Sequence, residues 1–414
     1  MNKSHTMINI GRKLRLNKIA YFFRFIRNFL HFRGLMCGKI VSIKDILDGC
    51  FQNVELLYHN NVRLYYAHPV YNDGSSNKSE LIEGMDYIQY AVSIHNAIVY
   101  GDSNQITLAR NQVLFDMPSY DTSNRFRYSS SKILAVKGNH IFYWKGITLS
   151  MEKAIWMGGI FTGNYWHLTY EFINKFIYLN KLDIPLDFPV LVDQVCLDFP
   201  QYKELIDIAN YKGYPIIGVN RRNRVKIGKL ILINTPHFLP PNLNTSEHRT
   251  EDLQFDVKAL RDLKNYLLPY SSHREFPKRI FMSRKTASSR KSFNEDAVIQ
   301  LLSEFGFEVM VADALSVADQ ISLFNQAEWI IGGVGAAFTN LLYCNHTTKV
   351  ILFIRARHLY SPFSTIASAL GISLLHVTEE DTNKHIVRGD IHDSFEIDLS
   401  YLKKKLIELG LETV

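Results

Sequence analysis

The spacing of apolar and polar positions divides the chain into three stretches. Residues 52–145 read as β-rich. "VELLYHNNVRLYYA" and "YIQYAVSIHNAIVYGDSNQITL" are dense in β-branched and aromatic residues and are broken by Asn, Gly, Asp and Ser. "PSYDTSNR" reads as a loop. From about residue 160, helical and strand patterns alternate. Residues 165–179 are predicted as a helix, 188–194 ("FPVLVDQ") as a buried strand and 201–211 as a short helix. "PIIGV" and "KLILIN" read as strands, then a polar loop with three prolines leads to a helix over 251–267. A boundary falls at 268–277.

Past that boundary the alternation is regular. "RIFMS" (279–283) is a strand. Asn294 is placed to cap a helix whose Val298, Leu301, Leu302 and Phe305 share one face. "FEVMVA" comes next as a strand. Ser316 to Asp319 resemble a capping box before a helix bearing Val317, Ile321 and Phe324. "EWIIGG" is a strand that stops at its glycines, and a third helix opens at Gly335. "KVILFI", a helix over 359–370 and "ISLLHV" complete the series. Such alternation predicts a parallel sheet with right-handed crossovers. No internal repeat is evident.

Composition adds size and charge. The chain has 414 residues, 47% hydrophobic and 21% charged, enough for two domains with a packed core. Its four cysteines have no CxxC spacing, so neither a disulfide framework nor a zinc site is indicated. The net charge is +7, yet residues 1–44 hold ten Lys and Arg and no acid, which leaves −3 for the remainder. In this arm Ile19, Phe22, Phe23, Ile26 and Leu30 recur at helical spacing, with Arg24 and Arg27 off the stripe. A basic amphipathic helix of this kind lies on an anionic membrane surface without crossing it, and packing on the body is the alternative. The body has no basic patch, which argues against nucleic acid as a partner. Four segments are expected: an arm at 1–45, a β-rich then α/β domain at 46–270, a second α/β domain at 271–378, and a tail with a helix at 379–414.

Two strand ends carry candidate chemistry. After "RIFMS", residues 283–291 hold Ser283, Arg284, Lys285, Arg290 and Lys291 among further hydroxyls, with no acid between them. That composition grips phosphate oxygens. Gly332-Gly333-Val334-Gly335-Ala336 lets backbone approach a ligand and aims helix amides at it. Each loop alone has a plain structural reading, a turn or a solvated surface; the pair at the ends of one sheet points to a nucleotide. No GK[ST] follows and GxGxxG is absent, so neither a P-loop nor a dinucleotide fingerprint is present. A third candidate is "GNYWHLTYEFINKF" (163–176). There Asn164 is placed to cap, Trp166, Tyr170, Ile173 and Ile177 form the apolar stripe, and His167 and Glu171 stand one turn apart. Such a pair suits a general base, and equally a packing role. The chain has no D-x-D, the carboxylate pair that holds the cation of metal-dependent nucleotide-sugar enzymes.

Four segments in this order, "NYWHLTYEFINKF", "FPVLVDQ" with the helix after it, "RIFMSRKTASSR" and "AEWIIGGVGAAFTNLLYC", resemble glycosyltransferase family 61 across roughly residues 80–375. That family includes bacterial capsular polysaccharide enzymes, plant xylosyl- and arabinosyltransferases and animal protein O-linked N-acetylglucosaminyltransferases. The resemblance implies a GT-B-like fold of two Rossmann-like domains facing across a cleft, with the acceptor on the N-terminal side and the nucleotide sugar on the C-terminal one. It implies inverting, metal-independent transfer with no cofactor, a UDP-sugar as the expected donor, and a glycan or lipid-linked glycan as acceptor. By position, His167 and Glu171 match the family's N-Y-x-H segment and the acid one turn later. Arg284 and Arg290 match the basic residues after the first C-terminal strand, in the loop that also holds the candidates Ser283 and Lys285; Gly333, Gly335 and Ala336 match the helix-opening turn, and Thr339 and Asn340 the polar pair inside that helix. Where the family reads G-[PG]-H-G-A-G-L-T-N-L-L-F, this chain has Val334 in place of His and Ala337 in place of Gly. A side-chain contact from position 334 is therefore missing. Either another residue replaces it, or the chain is a degenerate member that binds glycan or a partner in a capsule-assembly complex. A sugar-nucleotide oxidoreductase is a third reading, which the absent fingerprint disfavours. With the basic arm, the first reading places the enzyme in the cytoplasm at the inner face of a bacterial plasma membrane.

Overall fold

The computed structural model describes residues 34–49, 51–71, 79–115, 132–240, 249–285, 293–355, 361–378 and 395–414. The apolar stripe of the basic arm, Ile19 to Leu30, lies outside the described residues, as do Arg290 and Lys291.

Eleven of the described strands form one mixed sheet: β1 Leu35–Val41, β2 Val54–Tyr66, β3 Ile82–Tyr100, β4 Gln105–Thr107, β5 Gln112–Phe115, β6 Ile133–Lys137, β7 His140–Trp144, β8 Ile147–Trp156, β9 Val190–Asp193, β10 Ile216–Val219 and β11 Asn223–Ile233. The order is β10-β9-β8-β11-β3-β4-β5-β1-β7-β6, with β2 on β3. β8 to β11 run parallel to their neighbours in this group, and β11 joins β3 antiparallel. The β-rich stretch and the first α/β stretch are thus one sheet. β3 is 19 residues long and pairs with both β2 and β11. Its middle, Tyr90 to Ile94, is buried residue after residue rather than alternately, as expected where both faces of a sheet are covered.

The second sheet is wholly parallel: β12 Arg279–Met282, β13 Glu308–Met310, β14 Trp329–Gly333, β15 Lys349–Ile354 and β16 Ser373–Thr378, in the order β13-β12-β14-β15-β16. This is the parallel sheet expected from the alternation. Its strand order reverses between β12 and β14, and in an open α/β sheet the crevice at such a reversal is where ligands sit.

Some local expectations differ from the structure. The helix expected over 251–267 begins at Val257, capped by Asp256, because Gln254 and Phe255 are extended and bridge Phe238 and Tyr65. Asn294 stands at the helix start but does not cap it; its side chain bonds the backbone of Ile397 in both directions, at 2.8 and 2.9 Å. β14 runs through Gly332 and Gly333, as the run "EWIIGG" predicts. At Gly332 a Cβ would lie 2.8 Å from the Met282 carbonyl oxygen, so the neighbouring strand excludes a side chain there. After Gly335 the chain winds into a 3₁₀ helix, Ala336–Tyr343, rather than an α-helix.

One hydrophobic core fills the space between the sheets. Ile155, Tyr170, Phe176, Leu205 and Leu263 on the first side share it with Ile280, Phe324, Phe338, Leu352 and Ile366 on the second. Long-range hydrogen bonds tie the same surfaces. The Ala67 amide donates to Thr365 Oγ1 at 3.0 Å, and Arg261 donates to the Ala369 carbonyl. Tyr71 forms an isolated parallel bridge with His376 within β16. Among the described residues no helix is long and apolar enough to cross a membrane.

His376 is fully buried between the Ser361 hydroxyl at Nε2 (3.1 Å) and the Val70 carbonyl at Nδ1 (3.3 Å). Burial holds its pKa down at about 4. The ring is therefore neutral when folded and gains a proton on unfolding below the ordinary histidine pKa near ~6.5, so its stabilising contribution is present above that pH and falls as pH drops towards 4. Between pH 6.5 and 5.0 the unaltered chain is expected to lose ~2 kcal/mol more than His376→Gln in urea titrations. Equal losses would mean that the imidazole is already charged in the fold.

Candidate functional site

The loop after β12 and the loop after β14 meet at the point where the strand order reverses. Arg284 Nη1 donates to the Val334 carbonyl at 2.7 Å. At Gly335 a Cβ would fall 3.5 Å from Arg284 Nε, and at Gly333 3.3 Å from Arg284 Cδ. The guanidinium thus lies across the glycine loop, and the glycines keep that approach open. The Val334 amide continues the sheet by donating to the Phe353 carbonyl at 2.9 Å. Position 334 therefore has both backbone groups engaged and offers a ligand only an apolar side chain. Beyond it, the amides of Gly335, Ala336 and Ala337 lead the 3₁₀ helix and have no carbonyl acceptor among the described residues. Ala336 is exposed at the tip. Small residues with unbonded amides at a helix start can receive an anion.

The basic loop is not without acids in three dimensions. Glu295 and Asp296 open the next helix and fold back over it. Glu295 Oε1 accepts from Ser283 Oγ at 2.5 Å and from the Arg284 amide at 3.1 Å. Lys285 pairs with the exposed Asp296, which raises the lysine pKa. Ser283 and Glu295 thus shape the loop, Arg284 sits half-buried at the junction, and Lys285 extends outward.

The segment 165–181 starts as a short α-turn capped by the Asn164 side chain, passes through a π-helix at Leu168–Ile173, and resumes as an α-helix at Asn174–Lys181. The Thr169 hydroxyl donates to the Tyr165 carbonyl at 2.8 Å, alongside the Leu168 amide, where the helix begins to widen. Glu171 lies in this widened turn, buried, and its Oε1 is hydrogen-bonded to His167 Nδ1. With a carboxylate acceptor, Nδ1 is the donor and Nε2 is left as the basic nitrogen. His167 remains partly exposed and meets the rings of Phe161 (5.1 Å) and Trp166 (4.9 Å).

Neighbouring tyrosines join this helix to the glycine-loop helix. Tyr165 donates to Asn340 Oδ1 at 3.1 Å, Asn340 donates to Gln320 Oε1 at 2.7 Å, and Tyr170 donates to the Thr339 carbonyl at 2.8 Å. Of the residues singled out from sequence, Ser283, Arg284, Lys285, Gly333, Val334, Gly335 and Ala336 share one loop junction, and His167 with Glu171 lie on the helix whose Tyr165 and Tyr170 bond the 3₁₀ helix that follows that junction. Thr339 and Asn340 face the interior, where they weld the two helices together. Among the described residues no group of three or more His, Cys, Asp or Glu is placed to hold a metal.

One residue of the same region escaped the sequence reading. Asp193 ends β9, is 3% exposed, and accepts from the amides of Asp102 (2.6 Å) and Gly159 (2.8 Å) and from Thr162 Oγ1 (2.9 Å). Burial outweighs these donors and pushes its pKa up to about 7. It fixes the turn after β8 that leads into the His167 helix. The signal was available: an acid closing the apolar run "FPVLVD" marks the carboxyl end of a buried strand, where α/β sheets place functional groups.

In comparison with known proteins, the family model Glycosyltransferase 61 matches residues 165–351, from the start of the His167 helix into β15. No curated protein matches the chain.

Proposed function

We propose that this chain, a glycosyltransferase by the family 61 domain at residues 165–351, is an inverting enzyme that moves a sugar from a nucleotide-activated donor to a glycan acceptor without a metal. The observation that supports this reading is the His167–Glu171 pair on a helix bonded to the 3₁₀ helix that follows the Arg284–Val334 loop junction. Glu171 holds the imidazole by Nδ1, and Nε2 takes the proton of the acceptor hydroxyl. The acceptor oxygen bonds to the anomeric carbon from the face opposite the nucleotide, and the C–O bond to the diphosphate breaks. The diphosphate leaves with the electron pair, stabilised by Arg284 and the amides of Gly335 to Ala337. Fixed cations and amides at that position can carry the developing charge. Two α/β halves in a GT-B-like arrangement, a UDP-sugar donor, a lipid-linked glycan acceptor, and a place at the inner face of a bacterial plasma membrane in capsule or surface polysaccharide synthesis complete the proposal. Family resemblance and the basic arm support these parts.

Calorimetric titration with UDP, GDP, CDP and CMP, each with and without EDTA, tests the donor site. One nucleoside diphosphate is expected to bind equally in both conditions, and Arg284→Ala to weaken it at least ~10-fold, as for loss of a charged contact to phosphate. Binding that requires a divalent ion removes the metal-free mechanism, and binding of CMP alone moves the donor to a CMP-sugar. Val334 favours a second reading, because neither its side chain nor its backbone is left to hold a donor. In that reading the chain binds glycan or a partner enzyme and turns nothing over. No nucleotide binding at all would favour it.

A further inference from the structure

The turn between β8 and the His167 helix holds an unusual backbone. Phe161 has φ 67°, in the left-handed region. Of the five non-glycine residues with positive φ among those described, three are Asn or Asp, which tolerate it, and Phe161 is the one aromatic. Such strain persists only where the surroundings over-determine it. Here they do. The Gly159 amide and the Thr162 hydroxyl are bound by Asp193, and the Ile160 amide donates to Asn104 Oδ1 at 2.8 Å. The Phe161 carbonyl accepts from the Asn164 amide at 2.9 Å. Gly159 has no room for a Cβ, which would meet Asn104 Oδ1 at 2.3 Å and Phe172 Cζ at 2.8 Å.

The pinned residues are inward and the strained one is outward: Ile160 is 8% exposed, Thr162 2% and Phe161 40%. Glycine or asparagine would hold this turn without strain, and a packing aromatic would be buried. What the strain achieves is a phenyl ring set beside the imidazole, 5.1 Å between centroids and tilted by 35°, with much of its surface open. A flat apolar surface next to a group that accepts a hydroxyl proton matches one ligand chemistry, a pyranose ring with its C–H face on the phenyl and a hydroxyl at the imidazole. The diphosphate end of the site lies at the β12–β14 junction, so this ring belongs to the acceptor.

We infer that Phe161 is the stacking platform for the acceptor sugar, held out by Asp193 and Asn104 so that the reacting hydroxyl meets His167 Nε2. This rests on reading His167 as the base of the proposed transferase.

Saturation-transfer NMR with the methyl β-glycosides of glucose, galactose and N-acetylglucosamine tests it on the full chain. At least one glycoside is expected to bind, with the strongest transfer to the axial C–H protons of one ring face. Phe161→Gly, which relieves the backbone and so should fold, is expected to weaken that binding at least ~10-fold, and Phe161→Trp to keep it within about threefold. Phe199→Ala, at another exposed aromatic, should leave it unchanged. In a transfer assay the Phe161→Gly loss is expected in the acceptor KM, with the donor KM unmoved. Glycoside binding that survives Phe161→Gly, or no binding of any of the three, overturns the inference. Phe161-dependent binding without turnover of any nucleotide sugar would instead leave the platform standing and remove the transferase reading.

Discussion

His167→Ala is expected to lower kcat by about 10²–10⁴-fold while leaving nucleotide affinity within about twofold. The reason is which ring nitrogen is engaged. Glu171 is buried and bonded to Nδ1, so the proton stays there and Nε2 keeps its lone pair for the incoming hydroxyl. Removing the ring removes the proton acceptor but touches neither Arg284 nor the glycine loop. Glu171→Gln is expected to fall between the two, because the amide oxygen still accepts from Nδ1 but no longer offsets the imidazolium formed in the reaction. A difference between the variants in kcat, with unchanged donor affinity measured by calorimetry, distinguishes a base from a packing pair. Full turnover in both His167→Ala and Glu171→Gln would remove these residues from the mechanism.

The second large effect is expected at Asp193. Asp193→Ala leaves the Asp102 and Gly159 amides and the Thr162 hydroxyl without an acceptor in a buried setting. A loss of ~3–5 kcal/mol in urea unfolding is expected, the scale for several orphaned donors. The pH dependence gives the finer test. The folded pKa, about 7, lies above the ordinary aspartate value, so the native state holds a proton that the unfolded chain releases. That contribution is greatest at low pH and declines as pH rises from about 4 through 7. The gap between the unaltered chain and Asp193→Ala should therefore narrow by ~2–3 kcal/mol from pH 5 to pH 7. A gap that stays constant would mean that the carboxylate is ionised throughout, with its three donors prevailing over burial.

What was legible in the sequence is what depends on short-range periodicity. The stripe through Trp166, Tyr170, Ile173 and Ile177 gave the helix, and the alternation after residue 278 gave five parallel strands. The widened turn at Leu168–Ile173 was hidden, because a threonine hydroxyl bonding back to a carbonyl leaves the apolar spacing intact. The partners of Asn294 were hidden for another reason: they stand about a hundred residues away, at Ile397, and a cap and a tertiary bond draw on the same side chain. The polar pair Thr339 and Asn340 was expected among the donor contacts from the family resemblance. Only the arrival of Tyr165 and Tyr170 from a distant helix shows that they are fastenings between helices. Glu295 and Asp296 open a helix, and no local rule said that they would fold back over Ser283, Arg284 and Lys285.

The bond from Ala67 to Thr365 spans 298 positions, and Tyr71 bridges to His376 within β16. A ribosome delivers these partners in sequence. Residues 67–71 leave the exit tunnel long before their anchors exist, and at roughly 5–20 residues per second the wait lasts on the order of 15–60 s. Through that interval Ala67 and Tyr71, just past β2, lack the partners they bond in the fold and are open to other nascent chains or to chaperones. The segment from 67 to 71 is therefore left long without its native anchors by vectorial synthesis, and a slowed or interrupted translation would favour aggregation there over the native fold.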